Sequence, residues 1–383
     1  MCTRSVPRKV YCVLGLVVLL AGGCFQSPEK PLGAIANPSS GPGQSGVAFV
    51  AGPPATSGKL MRGTELWVIH PDGSAPPLRA LRSPGFSGFY DAPAWRPDGT
   101  AIAVTSFGEP GTCALWLVTL TGAKPRSTRL ASGDELSEPE WSPDGRRLVW
   151  MTGLETPGGQ DVRERICVAE VSGDRLAQVS YVEAWHALFP HWSPDGKRLT
   201  YWEGEVGGIR GSRGLFVVAR DGSGLKPVGS LTRTTHSLWC GPQEIIFHTV
   251  RRHGPTALVE IWRADVDTGQ PVRVCGVDLP GRVAGGDPRP LWTHDRSRVL
   301  LLADADPGPR GSPSSARESA GGIYVLDVKA GAARQLTANS EDNYPAWSGD
   351  ESEVVFVRGG TGLWAVNADG TGERKLVDAS QLR

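Results

Sequence analysis

A fifteen-residue phrase, PHWSPDGKRLTYWEG at residues 190–204, is rewritten along the chain, and this limits the possible folds more than any other feature. It returns as PAWRPDGTAIAVTS from Pro93, PEWSPDGRRLVWMT from Pro139, PLWTHDRSRVLLLA from Pro290 and PAWSGDESEVVFVR from Pro345. A further variant, SLWCGPQEIIFHTV from Ser237, keeps the tryptophan and loses the aspartate. Steps between Trp95, Trp141, Trp192, Trp239, Trp292 and Trp347 are 46, 51, 47, 53 and 55 residues by subtraction. A unit that recurs at such spacing buries its apolar side only against its neighbours, so the repeat dictates the architecture.

Within each full copy, Pro-Asp-Gly is a turn with a mechanism. Proline presets φ, aspartate bonds its own downstream backbone and glycine accepts positive φ. The apolar run that follows, such as Leu148, Val149 and Trp150, reads as the second strand of a hairpin. After a variable loop comes another strand with a large residue at one fixed place: Trp67, Trp116, Cys167, Phe216, Trp262, Tyr324 and Trp364. Each is followed six or seven residues later by a turn glycine, and Asp72, Asp221 and Asp369 make three of these turns Asp-Gly, a strong hairpin signal. The unit is therefore four strands, A to D. Seven B-C-D sets stand against six tryptophan-led A strands, so either residues 34–37 supply the missing strand or the first blade has three.

The units resemble the propeller repeats of TolB and its relatives, in which W-S-P-D-G precedes a strand and an I-W-V-like strand. The resemblance covers roughly residues 47–377. It implies an all-β fold, a β-propeller of four-stranded blades, seven or alternatively six. Domains are expected at 1–23 (signal peptide), 24–45 (lipid-anchored flexible linker) and 46–383 (propeller). TolB proper carries an additional α/β domain before its propeller, for which there is no room here.

The amino terminus reads as a targeting segment. Arg4, Arg8 and Lys9 precede an apolar run over residues 10–21, shorter than the ~20 residues a spanning helix needs, so it reads as a signal-peptide core. Gly22-Gly23-Cys24 resembles a bacterial lipobox, and on that resemblance Cys24 becomes the lipidated first residue of the mature protein; the alternative is an ordinary secretory signal. Residues 25–45 are rich in Pro, Gly and Ser and read as a tether. With Phe25 after the cysteine, the periplasmic side of the outer membrane is the expected location. The formal net charge of +0 removes the basic footprint that nucleic-acid binding requires.

Strands in simple antiparallel order place the A–B and C–D turns on one face of the ring. The B–C loops and the connections into each strand A lie on the other, and these hold all the variation in length. Insertions gathered on one face of a repeat protein mark a binding side. The connections into strand A carry Asp91, Asp134, Glu135, Glu138, Glu183, Asp278, Asp287, Glu341 and Asp342 against Arg82, Arg233, Arg282 and Arg289, with Tyr90, Trp185, Phe189 and Tyr344 beside them. Tyrosine, tryptophan and arginine dominate binding hot spots. The candidate partner-binding rim is therefore Tyr90, Asp91, Glu138, Trp185, His186, Asp287, Arg289, Asp342 and Tyr344.

No metal or other cofactor is expected, because the histidines lack ligand spacing. Gly43-Gln44-Ser45-Gly46-Val47 and Gly85-Phe86-Ser87-Gly88-Phe89 both break the G-x-S-x-G hydrolase pattern at its last glycine. Cys240 and Cys275, on strands A and D of one blade, are too far apart for a disulfide. The expectation is a monomeric, non-enzymatic envelope lipoprotein, held to the membrane by its lipid, that binds an envelope protein or peptidoglycan-associated partner. The alternative is a channel-sited enzyme, of lyase or lactonase type, acting on a carbohydrate.

Overall fold

Hydroxyl and aspartate, more than proline and glycine, close the repeated A–B turn. Ser142 Oγ donates to Asp144 Oδ1 at 2.6 Å and accepts from Arg147 N at 2.8 Å, while Arg146 N donates to the same carboxylate oxygen at 3.0 Å. Ser193 with Asp195, Thr293 with Asp295 and Ser348 with Asp350 repeat this arrangement. Copies that look degraded by eye thus keep the Ser/Thr-x-Asp pair that does the bonding. In two of them the turn glycine is replaced by Arg296 and Glu351, which take φ of 60° and 59°. Each left-handed non-glycine residue costs about 1–2 kcal/mol, and each here gains contacts to the preceding blade. Arg296 Nε donates to the Trp239 carbonyl at 2.9 Å, and Glu351 Oε1 meets His294 Nδ1 at 2.6 Å.

These hairpins build seven antiparallel sheets, each a meander in the order A-B-C-D. The computed structural model describes residues 35–43, 45–52, 65–82, 88–89, 93–107, 113–133, 136–155, 162–184, 187–203, 214–229, 234–253, 256–283, 291–304 and 321–382. Strand A of blade 2 is split into Gly88–Phe89 and Ala94–Trp95, both paired with Ala101–Phe107. The ring has seven blades, because blade 1 is complete. Its strand A is Ile35–Ser40, inside the stretch read from sequence as linker, which moves the start of the propeller from residue 46 to Ile35. Ser40 pairs with Val47 as Trp141 pairs with Leu148, and Pro38 stands where other blades have the proline before the tryptophan. The signal peptide and Cys24 lie outside the described residues.

Apolar layers fill each gap between blades, which is why strand B reads as an unbroken apolar run: Val354, Val355, Phe356 and Val357 are all buried, the first and third toward blade 6 and the others toward blade 1. Indoles add a directional staple. Trp95, Trp141, Trp192, Trp239 and Trp347 donate Nε1 to carbonyls of the preceding blade, at Ser39, Ala94, Glu140 and His191 on strand A and at Leu291 beside the blade 6 bridge, over 2.9 to 3.4 Å. Trp292 Nε1 is buried without such an acceptor. The blade before it has a shorter turn, Trp239 pairing with Ile245, and Arg296 makes the link instead. Arg96 stacks 5.3 Å over the Trp141 ring, which accounts for an arginine where other copies have serine.

Acid titration separates two parts of this framework. Asp295 is held down at about 2, chiefly by the Ser297 amide and hydroxyl and the Thr293 hydroxyl, so its contribution is complete above the ordinary carboxylate value of 3.8 and is lost as pH falls toward 2. His248, buried on strand B of blade 5, is pushed down from 6.5 to about 4 by burial. Between those values the unfolded chain binds a proton there and the folded chain does not, so stability rises with pH across 4 to 6.5 and is complete above it. The span corresponds to at most about 3 kcal/mol. Urea melts of the parent at pH 4.5 and pH 7 are expected to differ by an amount of this order, and His248→Leu should flatten the difference; an equal difference in the variant would assign the acid sensitivity elsewhere.

Candidate functional site

Strand A is the innermost strand of each blade: A strands of neighbouring blades touch one another, and the indole staples run between them. One edge of each strand A pairs with strand B, leaving the other toward the ring axis. Side chains along it should alternate between the two neighbouring blades. They do not, because a bulge interrupts the alternation. The register shifts between Ala36 and Ser39, Ser137 and Glu140, Leu188 and His191, Thr234 and Ser237, and Asn343 and Ala346. Inside three of these bulges Glu138, Phe189 and Tyr344 take φ of 54°, 58° and 53°. Each is partly exposed beside a buried proline, Pro139, Pro190 or Pro345. A bulge re-aims a side chain, and since the sheet faces are covered by neighbouring blades, exposure at this strand is exposure to the channel.

Acidic side chains from blade 3 cap the free edge of blade 4. Glu138 Oε2 accepts from Phe189 N at 2.5 Å and Glu140 Oε1 from Trp192 N at 3.1 Å. Glu140 Oε2 also meets His191 Nδ1 at 2.5 Å, with the imidazole 8% and the carboxylate 34% exposed. The result is an oriented, buried histidine between blades 3 and 4. Glu140 and His191 were not among the sequence-derived rim residues; they precede the repeat tryptophan by one position, where alternation alone points toward a neighbouring blade.

Of the nine rim residues, the structure describes the side chains of Glu138, Asp342 and Tyr344. Glu138 and Tyr344 occupy the same place in their blades, three residues before the tryptophan. Asp342 is buried, and its carboxylate is held by Arg358 through Nε at 2.6 Å and Nη2 at 2.9 Å. Arg358 continues to Glu373 at 2.6 and 3.0 Å and lies 4.6 Å over the Trp364 ring. Hydrogen bonds to Asp342 and Glu373 raise the arginine's affinity for its proton, and Arg358 holds Glu373 below the usual carboxylate range. Asp342 therefore belongs to the framework of blade 7 and faces a side chain, not the channel. Tyr90, Asp91, Trp185, His186, Asp287 and Arg289 carry no described side chains.

Among the described residues no three His, Cys, Asp or Glu side chains converge to hold a metal ion. Cys113, Cys167, Cys240 and Cys275 are all unbridged, and burial pushes the Cys240 thiol up to about 11, so it is protonated at neutral pH. Fold and channel wall together define a seven-bladed β-propeller. No family model matches the chain, and no curated protein matches it either. Solved structures do. An oligogalacturonate lyase from Vibrio parahaemolyticus is 13% identical, with 86% of this chain and 88% of that one covered and a TM-score of 0.61. The β-propeller domain of the Trilobed protease from Pyrococcus furiosus, described as having an open velcro topology, is 12% identical over 91% and 97% of the two chains, with a TM-score of 0.57. TolB from Acinetobacter baumannii is 16% identical over 88% and 76%, but its TM-score of 0.46 adds no structural weight to the repeat resemblance. At these identities the likeness is one of fold.

Proposed function

We propose that this chain is a protein-interaction scaffold of the bacterial cell envelope, lipid-anchored at Cys24, that meets an envelope protein or peptidoglycan-associated partner with the face carrying its B–C loops and inter-blade connections. The observation that carries this reading is the asymmetry between the two faces. On one, Ser/Thr–Asp pairs close the A–B turns of blades 3, 4, 6 and 7, and Asp72, Asp221, Asp265 and Asp369 close C–D turns on the amides of Ser74, Ser223, Thr268 and Thr371 at 2.8 to 2.9 Å. These turns are short and satisfy their own backbone groups. The B–C loops and the connections into strand A leave from the opposite ends of the described strands and differ in length from blade to blade, the pattern of a repeat protein whose variation serves recognition.

Crosslinking in intact cells followed by purification from membranes is expected to recover a specific partner with the parent, and Cys24→Ala is expected to release the chain into the soluble fraction. Recovery of no partner, or an unchanged membrane fraction for the variant, would count against the two halves of the proposal separately. The enzymatic alternative draws on one feature, the imidazole of His191 oriented by Glu140, which has the form of a general base with its positioning carboxylate. It expects His191→Gln to abolish turnover of a carbohydrate while leaving partner capture intact.

A further inference from the structure

Both ends of the described chain lie on the face of the B–C loops, opposite the short turns. Strand A of blade 1 starts there: Ile35 is fully buried, pairs with Ala51 at the end of strand B, and donates its amide to the Gly360 carbonyl at 3.0 Å. Gly360 is in the B–C turn of blade 7, between Glu353–Arg358 and Gly362–Asn367. At the other end, Ala379 N donates to the Thr361 carbonyl of the same turn at 2.8 Å, and Leu382 packs on the seam between blades 7 and 1. The propeller is therefore entered at a fixed point on the loop face and, strand A being innermost, close to the ring axis.

The length of chain ahead of that point limits how the ring can stand on a membrane. Ile35 comes eleven positions after Cys24, a contour of about 40 Å at full extension and about 20 Å on average for a flexible chain. To lay the turn face on a bilayer, this connection would have to run outward across three strand spacings, about 14 Å, and then down a six-residue strand, about 20 Å. The detour takes up nearly the whole contour, and holding it straight forfeits the conformational entropy of every residue in it. We infer that the loop face is turned toward the bilayer, with the turn face pointing away, and that the partner met there is the exposed segment of a membrane-embedded protein. The lipid surface itself is a poor occupant, because the connections into the A strands hold more acidic than basic residues and anionic headgroups repel them. A partner held away from the membrane would meet the short turns instead. The inference rests on the scaffold reading for the anchor at Cys24, and narrows its two classes of partner to one.

Orientation is tested on residues 24–383 with hexahistidine ahead of position 24, bound to nickel-chelating liposomes, which removes any dependence on acylation in cells. Cys24, Cys240 and Cys275 are replaced by serine, and a donor dye is placed at T361C on the loop face or at D174C in the C–D turn of blade 3, with the acceptor dye on the lipid headgroups. Energy transfer is severalfold greater from T361C, and the difference collapses when about 60 Gly/Ser residues are inserted ahead of Ile35, an average reach of about 45 Å. Equal transfer from the two sites without the insertion overturns the inference and leaves partner capture untouched. In cells, a cleavable photocrosslinker at Thr361 captures a protein that, once the link is cleaved, stays with the membrane through an alkaline carbonate wash; the same group at Asp174 does not. A captured protein that the wash strips, or capture from Asp174 alone, overturns the membrane-embedded partner. An unchanged membrane fraction for Cys24→Ala overturns the anchor, and with it the scaffold reading on which the inference rests, whatever the liposomes report.

Discussion

Trp239→Ala is expected to destabilise the chain by about 5 kcal/mol. Truncating a buried tryptophan costs about 3–5 kcal/mol through lost transfer energy and the cavity left behind. This one is 2% exposed and packs among Leu215, Val217, Ile245 and Phe247 between blades 4 and 5. It also donates Nε1 to the His191 carbonyl at 3.1 Å, supports Arg198 at 5.4 Å over its ring and offers its own carbonyl to Arg296. Removing the indole leaves the His191 carbonyl without its donor, adding about 1–2 kcal/mol. Denaturant melts read the change directly. By contrast Trp262, at the fixed place on strand C, is only half-buried and bonds Thr249 Oγ1 at 3.2 Å, so its truncation should cost less. A Trp239→Ala midpoint close to that of the parent would mean the blades do not depend on the indole staple.

Gly349→Pro is the second expected loss. By the repeat it is a repair, since Pro97, Pro143 and Pro194 occupy this position in the full copies. By the structure it is disruptive. A Cβ on Gly349 would lie 2.2 Å from the Gly41 carbonyl oxygen and 2.5 Å from that of Gly43, both backbone atoms of blade 1. No strand is shared between the first and last blades, and Ser40 stands where an indole would otherwise reach back to blade 7. The seam is held by the Ile35 N to Gly360 O bond at 3.0 Å and by packing of Ile35, Val47 and Phe49 on Ala346, Val355 and Val357. Overpacking there should cost about 3 kcal/mol and raise amide exchange in residues 35–40 before the rest of the ring. Arg96→Ser, an equally faithful repair of the repeat, should cost only about 1 kcal/mol through the lost stacking on Trp141. Equal stability of Gly349→Pro and the parent would show that the seam does not close through this contact.

The two repairs mark where sequence reading reached its limit. The hairpin turns and the apolar strands were legible because turn chemistry and apolar runs are local, and the blade spacing because the same unit recurs. Blade 1 was harder to see. Its strand A has Ser40 where the others have the tryptophan that announces them, and no motif marks the seam, where Gly349 meets the Gly41 and Gly43 carbonyls. Pro38 and the Gly41-Pro42-Gly43 turn were the remaining signal. At the channel, Glu138 and Tyr344 were identified as charged and aromatic residues near a mouth, but their common feature, a bulge held at positive φ, is a property of pairing with strand B. Asp342 looked equivalent until Arg358, sixteen residues on, was seen to hold it. Glu140 and His191 were passed over because their pairing crosses from blade 3 to blade 4, between residues that no local pattern connects.

Taken alone, the sequence determined the repeating unit, the order of its strands and the face that receives the irregular connections, since turn chemistry and side-chain periodicity are local and each copy states them again. Only the tertiary structure decided how the ring closes and which polar groups reach its axis. Those outcomes depend on contacts between residues some fifty to three hundred positions apart, where a carbonyl of blade 1 can forbid a side chain in blade 7 and a carboxylate of blade 3 can satisfy an amide of blade 4.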